Sequence, residues 1–222
     1  MPRAALSPAD IADFREQLCA VAERLFAERG YPGVTLRALA AELDVSPMTP
    51  YRYFRDKADI FAAVRAGGFR RFADAQEAAF AAESDPEERL RAMARSYVEF
   101  ARREPHAYRI MFEMNPLQDV GQYPDLVAQQ IRGWEPLLRG VGAAIEAGLL
   151  AGDATHLAHV FWAGVHGIAS LYLAGTYTLI HEDVDHIVDL METTLFAGNR
   201  ARPTAARAQR HGRAVRPRGR AR

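Results

Sequence analysis

The sequence predicts an all-α fold: an N-terminal three-helix unit containing a helix-turn-helix, followed by a larger helical domain. Three observations carry this. Apolar residues recur at three- and four-residue spacing through most of the chain. Ser, Thr or Asp stands at the start of these stretches, often next to Pro, and Gly at several of their ends. The chain has 222 residues and is 49% hydrophobic, enough for one sizeable core or for a small domain joined to a larger one.

The first helix starts at Ser7-Pro8-Ala9-Asp10, where Ser7 can cap, Pro8 suits the first turn and Asp10 can complete a capping box. Ile11, Phe14, Leu18, Val21, Ala22, Leu25 and Phe26 then share one face, and Gly30 stops the helix. Thr35 caps a second helix with Leu36, Leu39, Ala40 and Leu43 turned inward. The third element has two possible starts. Ser46 can cap with Pro47 first, but Pro50 then lacks an N–H at position four. Thr49 can instead cap with Pro50 first, which leaves one or two turns. The reading favours a distorted or delayed start.

Two short helices joined this tightly cannot make a core alone. They lean on neighbours, and the second stands out from the surface in a shape that fits a DNA major groove. Phe54 belongs to the core, while Met48, Thr49, Tyr51, Arg52 and Tyr53 are mostly outward. Tyr hydroxyls and Arg suit phosphates; Thr and Met suit base edges and thymine methyls. Asp56 caps the next helix, which places Lys57 beside free backbone N–H groups as a phosphate clamp.

The segment from about Phe14 to Val64 resembles the TetR family of one-component regulators. The likeness lies in Ala22-Glu23-Arg24-Leu25-Phe26-Ala27-Glu28-Arg29-Gly30-Tyr31, Val34-Thr35-Leu36, Leu39-Ala40, Val45-Ser46-Pro47, Tyr51-Arg52-Tyr53-Phe54, Lys57 and Phe61. It implies a homodimer that binds a palindromic operator and releases it when a small molecule enters the C-terminal domain. It also implies DNA contacts by Thr35, Pro47, Met48, Thr49, Tyr51, Arg52, Tyr53 and Lys57. Met48 and Pro50 depart from the family pattern, which has a small residue and an aliphatic one there. Phe161-Trp162-Ala163-Gly164-Val165-His166-Gly167 resembles the tryptophan–histidine–glycine subclass of C-terminal domains.

Further along, one long helix is expected from Asp56 to about Ala82, with Gly67-Gly68 as a bend or a close approach, and another from about Leu90 to Arg103. A short helix lies between Pro105 and Pro116. A long one spans Leu126–Ala147, where Pro136 is a candidate kink. The last pair is expected over Thr155–Tyr177 and Asp183–Phe196. Its stripes, Leu157, Phe161, Val165, Ile168 and Tyr172 with Val184, Ile187, Met191 and Leu195, are expected to form a four-helix dimer interface. Tyr97, Phe100, Met111, Phe112, Met114, Trp134, Trp162 and His166 are expected to line a pocket for an apolar or aromatic ligand. The expected division is a DNA-binding domain over 7–57, a regulatory and dimerisation domain over 58–198, and a disordered tail over 199–222.

The formal charge is zero but uneven. Arg200–Arg222 holds nine arginines and no acid, which leaves 19 basic against 28 acidic groups in residues 1–199, a net of −9. The first 57 residues balance at eight and eight. An acidic body repels DNA except at the face the N-terminal unit presents. Ala154–His181 has no Asp, Glu, Lys or Arg, yet its His, Ser, Thr and Gly residues fit a helix buried by its own core and a partner subunit better than a membrane span. Cys19 is the only cysteine, so no intrachain disulfide forms; with no signal-peptide pattern at the N-terminus, a cytoplasmic setting is expected. No metal-ligand spacing, nucleophile elbow, phosphate loop or dinucleotide fingerprint is present, so no cofactor and no catalysis are expected. The competing reading is a small-molecule-binding or interaction protein on the same scaffold with weakened operator reading.

Overall fold

The computed structural model describes residues 7–200. The Arg-rich stretch from 201 onward, expected as a disordered tail, lies outside the described residues. Helix α1 (Pro8–Arg29) carries the full capping box: Asp10 N–H donates to Ser7 Oγ, and the Asp10 carboxylate accepts from Ser7 N–H. It ends at Gly30, where φ is +69° and ψ 164°. Helix α2 (Leu36–Glu42) begins under Thr35, whose Oγ1 accepts from Ala38 N–H.

The long helix α3 (Lys57–Ala82) starts at Asp56 and runs unbroken past Gly67 and Gly68. The second glycine serves close approach: a Cβ there would sit 3.0 Å from Met111 Sδ. Helix α4 (Pro86–Arg103) is capped by Asp85. Helix α5 (Pro105–Tyr108) passes directly into a π turn, Arg109–Glu113. Helix α6 (Pro124–Glu146) continues through Pro136. The expected helix to Tyr177 is in fact two, α7 (Ala154–Leu173) and a short α8 (Thr176–Ile180), because Gly175 takes φ +74° and turns the chain. Helix α9 (Val184–Gly198) starts under Asp183. Among the described residues no helix is long and apolar enough to cross a membrane.

Helix α3 is the strut of the molecule. Its first half packs on α1 and its length lies against α4 and α6. Ile60 and Phe61 are fully buried, and Phe61 meets Phe26 and Tyr31 edge-on, at centroid distances of 5.1 and 5.3 Å. One buried cluster therefore runs from Leu18 and Phe26 through α3 to Tyr97, Tyr108 and Val165. A second cluster fills the far end with Leu90, Val141, Leu157, Phe161 and Phe196.

Five of the nine residues read as a dimer interface are corrected here. Leu157, Phe161, Val165, Ile168 and Val184 are buried inside the single chain, and Tyr172, Ile187, Met191 and Leu195 are partly buried against the same clusters. Residues repeating at helical spacing mark a face without saying what covers it. The outward apolar side chains are Val160 and Leu171 on α7, Leu179 and Ile180 on α8, and Leu190 on α9.

Candidate DNA-reading face and ligand cavity

Between α2 and α3 the chain makes no third α-helix. Asp44 adopts φ +51°, which short polar side chains tolerate, and turns the backbone out of α2. Thr49 N–H then donates to Ser46 O at 2.8 Å, and Pro50–Arg52 form a single 3-10 turn. Proline at the first position explains the delayed start, since its missing N–H costs nothing there. Thr49 offers no side-chain cap. Tyr53 and Phe54 N–H both donate to Pro50 O at 3.0 Å and close the segment.

The turn presents Pro47, Met48, Tyr51 and Arg52 to solvent, with Met48 67% and Tyr51 52% exposed. Thr49 is half-buried and Pro50 is buried beneath them. Tyr53 is less outward than expected: its ring stacks on Phe14 at 4.3 Å. Arg15 of α1 donates to the Tyr53 carbonyl and lays its guanidinium over the Phe54 ring. Thr35 stands at the start of α2 with its hydroxyl engaged in the cap.

Lys57 is corrected in its first role. Its ammonium turns inward and donates to the Tyr31 and Val34 carbonyls at 2.9 and 3.0 Å, over the Tyr31 ring. It fastens the end of α1 and the start of α2 to α3. Lys57→Met should therefore lower folding stability by about 2 kcal/mol in urea denaturation. A residue that only touched phosphate would leave the denaturation midpoint unmoved.

In the other half, α3, α4, the π turn, α6, α7 and α9 line a half-open cavity of about 400 Å³, within the range of small-molecule sites. Five of the residues expected there line it: Tyr97, Met111, Phe112, Trp134 and Trp162. Three do not. Phe100 packs against Phe72 in the core, Met114 follows the π turn against the main cluster, and His166 lies one layer behind the wall. The reading from sequence missed Arg65, Phe69, Phe72 and Gln76 of α3, Leu90 and Met93 of α4, and Glu192 of α9.

His166 anchors a polar network. The Tyr97 and Tyr108 hydroxyls approach its Nδ1 at 3.0 and 2.8 Å, and Tyr108 also reaches Ser170 Oγ at 3.3 Å. Trp162 Nε1 donates to the Tyr97 hydroxyl at 3.4 Å. Burial lowers the His166 pKa, which favours the neutral ring, and burial raises both tyrosines. Rings that face the cavity are thus held by groups behind it.

Two ionisable groups stand at the wall without partners for all their atoms. Arg65 donates from Nε and Nη2 to the Met111 carbonyl at 3.1 and 2.7 Å, and its Nη1 is buried and unbonded. Glu192 is 2% exposed, and its Oε2 has no hydrogen-bond partner. Desolvation pushes its pKa from the ordinary 4.5 to about 7. Among the described residues no group of three or more His, Cys, Asp or Glu is placed to hold a metal ion.

Comparison with known proteins agrees with this architecture. Residues 18–64 match the family model described as bacterial regulatory proteins, tetR family, and residues 90–195 match the tetracyclin repressor-like C-terminal domain. A solved structure of a protein of unknown function from Rhodococcus sp. RHA1 is 31% identical, with a TM-score of 0.74 over 91% of this chain and 100% of that one. The fatty acid degradation regulator FadR from Bacillus halodurans shares the fold at 16% identity and a TM-score of 0.69, over 89% of this chain and 100% of that one. A curated relative, the HTH-type transcriptional activator FasR from Mycolicibacterium smegmatis, is 27% identical over 115 residues, 52% of this chain. The match spans about half of that relative, 51% of its length.

Proposed function

This chain belongs to the TetR family of bacterial regulatory proteins, and on that premise we propose that it is a ligand-responsive repressor, leaving a palindromic operator when a small apolar or aromatic effector enters the cavity. One observation carries the reading. Helix α3 starts at the reading turn with Lys57 and, further along, supplies Arg65, Phe69, Phe72 and Gln76 to the cavity wall. A molecule that displaces this wall acts on the same rigid rod that holds the turn. The π turn adds a second link. Met111 and Phe112 line the cavity, while Arg109 Nη1 donates to the Ala27 carbonyl of α1 at 3.3 Å.

In this reading residues 7–57 bind DNA and 58–198 regulate and dimerise. The dimer uses the outward face of α7, α8 and α9. Val160, Leu171 and Leu190 are each about half exposed, and a Cβ added at Gly167 would meet nothing within 4 Å, so a second helix can come close there. The same residues serve an activator where promoter geometry differs, as the name of the M. smegmatis relative suggests. The subclass resemblance belongs to this proposal too: Trp162 lines the cavity, His166 braces it, and Gly167 faces outward.

A salt-titrated binding assay on DNA from upstream of the coding region tests the reading. Tyr51→Ala should weaken specific binding by about 1–3 kcal/mol per subunit and leave the weak sequence-independent component unchanged. Binding that is sequence-independent in the native protein, and indifferent to Tyr51→Ala, leaves instead an interaction protein on this scaffold.

A further inference from the structure

The cavity wall is aromatic and aliphatic except at a few points, and Glu192 is the least explained of them. It projects from α9 on the same face as Val188 and Phe196, both buried. The charged groups that act on it are Arg91, Arg95 and Glu87 of α4 and Asp189 of its own helix. Arg91 pairs with Glu87 through Nη2 at 2.7 Å while its Nε is buried and unbonded, and Arg95 pairs with Asp189 at 3.6 Å. Helix α7 contributes only Phe161, Trp162 and Val165 to the cavity wall. A carboxylate removed from water with an unbonded oxygen is costly, and buried acids are ordinarily paired.

We propose that the effector carries a cationic amine on an apolar or aromatic body, and that the Glu192 carboxylate, which lines the cavity, accepts a hydrogen bond from its ammonium group. This rests on the reading of the cavity as the effector site. Aromatic walls suit such a cation as well as its apolar body, because ring faces attract ammonium groups. Arg65, which also lines the cavity, would favour a carboxylate instead. Two of its donors already serve the Met111 carbonyl and Nη1 is left unbonded, as Glu192 Oε2 is, so a carboxylate probe decides between the two claimants. The preference for an amine strengthens as pH rises past about 7, where Glu192 becomes charged.

The chain has two tryptophans, Trp134 and Trp162, and both line the cavity, so their fluorescence reports occupancy without DNA. The full-length protein is titrated with phenylbutylamine, phenylbutanol and phenylbutanoate, near pH 6 and near pH 8. The amine should bind at least about tenfold more tightly than the other two near pH 8, with a smaller margin near pH 6. Glu192→Gln should erase that margin while alcohol binding persists. Equal binding of amine and alcohol, preference for the carboxylate, or an intact margin in Glu192→Gln overturns the assignment and leaves the cavity reading standing. No fluorescence change with any of the three overturns the cavity reading and the assignment together. The comparison of three probes in the native chain holds even if the variant folds poorly.

Discussion

Leu171→Arg is expected to convert the protein from dimer to monomer and to weaken operator binding by about 10²–10⁴-fold. The side chain lies on the outward face of α7 and is 46% exposed, so arginine there costs the isolated chain little. Against a second subunit the same arginine would be buried among Val160, Leu190 and their copies without a counter-ion, which is prohibitive. Operator affinity falls with it because two reading turns on one rigid dimer engage two half-sites at high effective concentration, whereas one turn engages one. Light scattering after size exclusion gives the mass, and a fluorescence anisotropy titration gives the affinity. A variant that stays dimeric would place the interface elsewhere. Val165→Ala is the contrasting substitution: it deletes buried volume inside the chain, lowering stability without changing mass.

Glu192→Gln is expected to stabilise the ligand-free protein by up to about 3 kcal/mol near pH 8, the free energy of a pKa raised from 4.5 to about 7. The raised pKa means that the folded chain holds the Glu192 proton more tightly than the unfolded chain does. Folding stability therefore declines as pH rises from about 4.5 to about 7, and the loss persists above. Glutamine cannot ionise and removes that decline, so the gain should shrink toward pH 5. For a chain of this size the shift near pH 8 corresponds to a rise of about 6–12 °C in Tm. Urea denaturation at the two pH values measures it. A variant no more stable than the parent at either pH would mean that the native carboxylate is already satisfied. A residue that weakens the fold and faces a cavity is the usual signature of a group kept for binding.

The caps were the most legible features. Ser7, Thr35, Asp56 and Asp183 all begin helices where the sequence placed starts, because capping needs only a local side chain and a backbone N–H two or three residues on. The delayed reading turn was legible for the same reason, since Pro50 constrains its own backbone. Glu192 was not read, although the pattern held it: Val184, Val188, Glu192 and Phe196 stand four apart on one face, so an acid occupied an inward position. Lys57 was read from its place at a helix start, but two carbonyls from distant residues decided where its ammonium points.

By itself the sequence determined the helical class, the order of the helices and the exposed reading turn with Met48, Tyr51 and Arg52, because these follow from spacing, capping and proline geometry within a few residues. Only the tertiary structure decided which apolar face of α7 turns inward, which rings line a cavity and which merely fill the core, and that a buried acid meets that cavity. Helical periodicity specifies a direction around an axis. What lies in that direction is set by other segments of the chain, whose approach depends on packing over the whole fold.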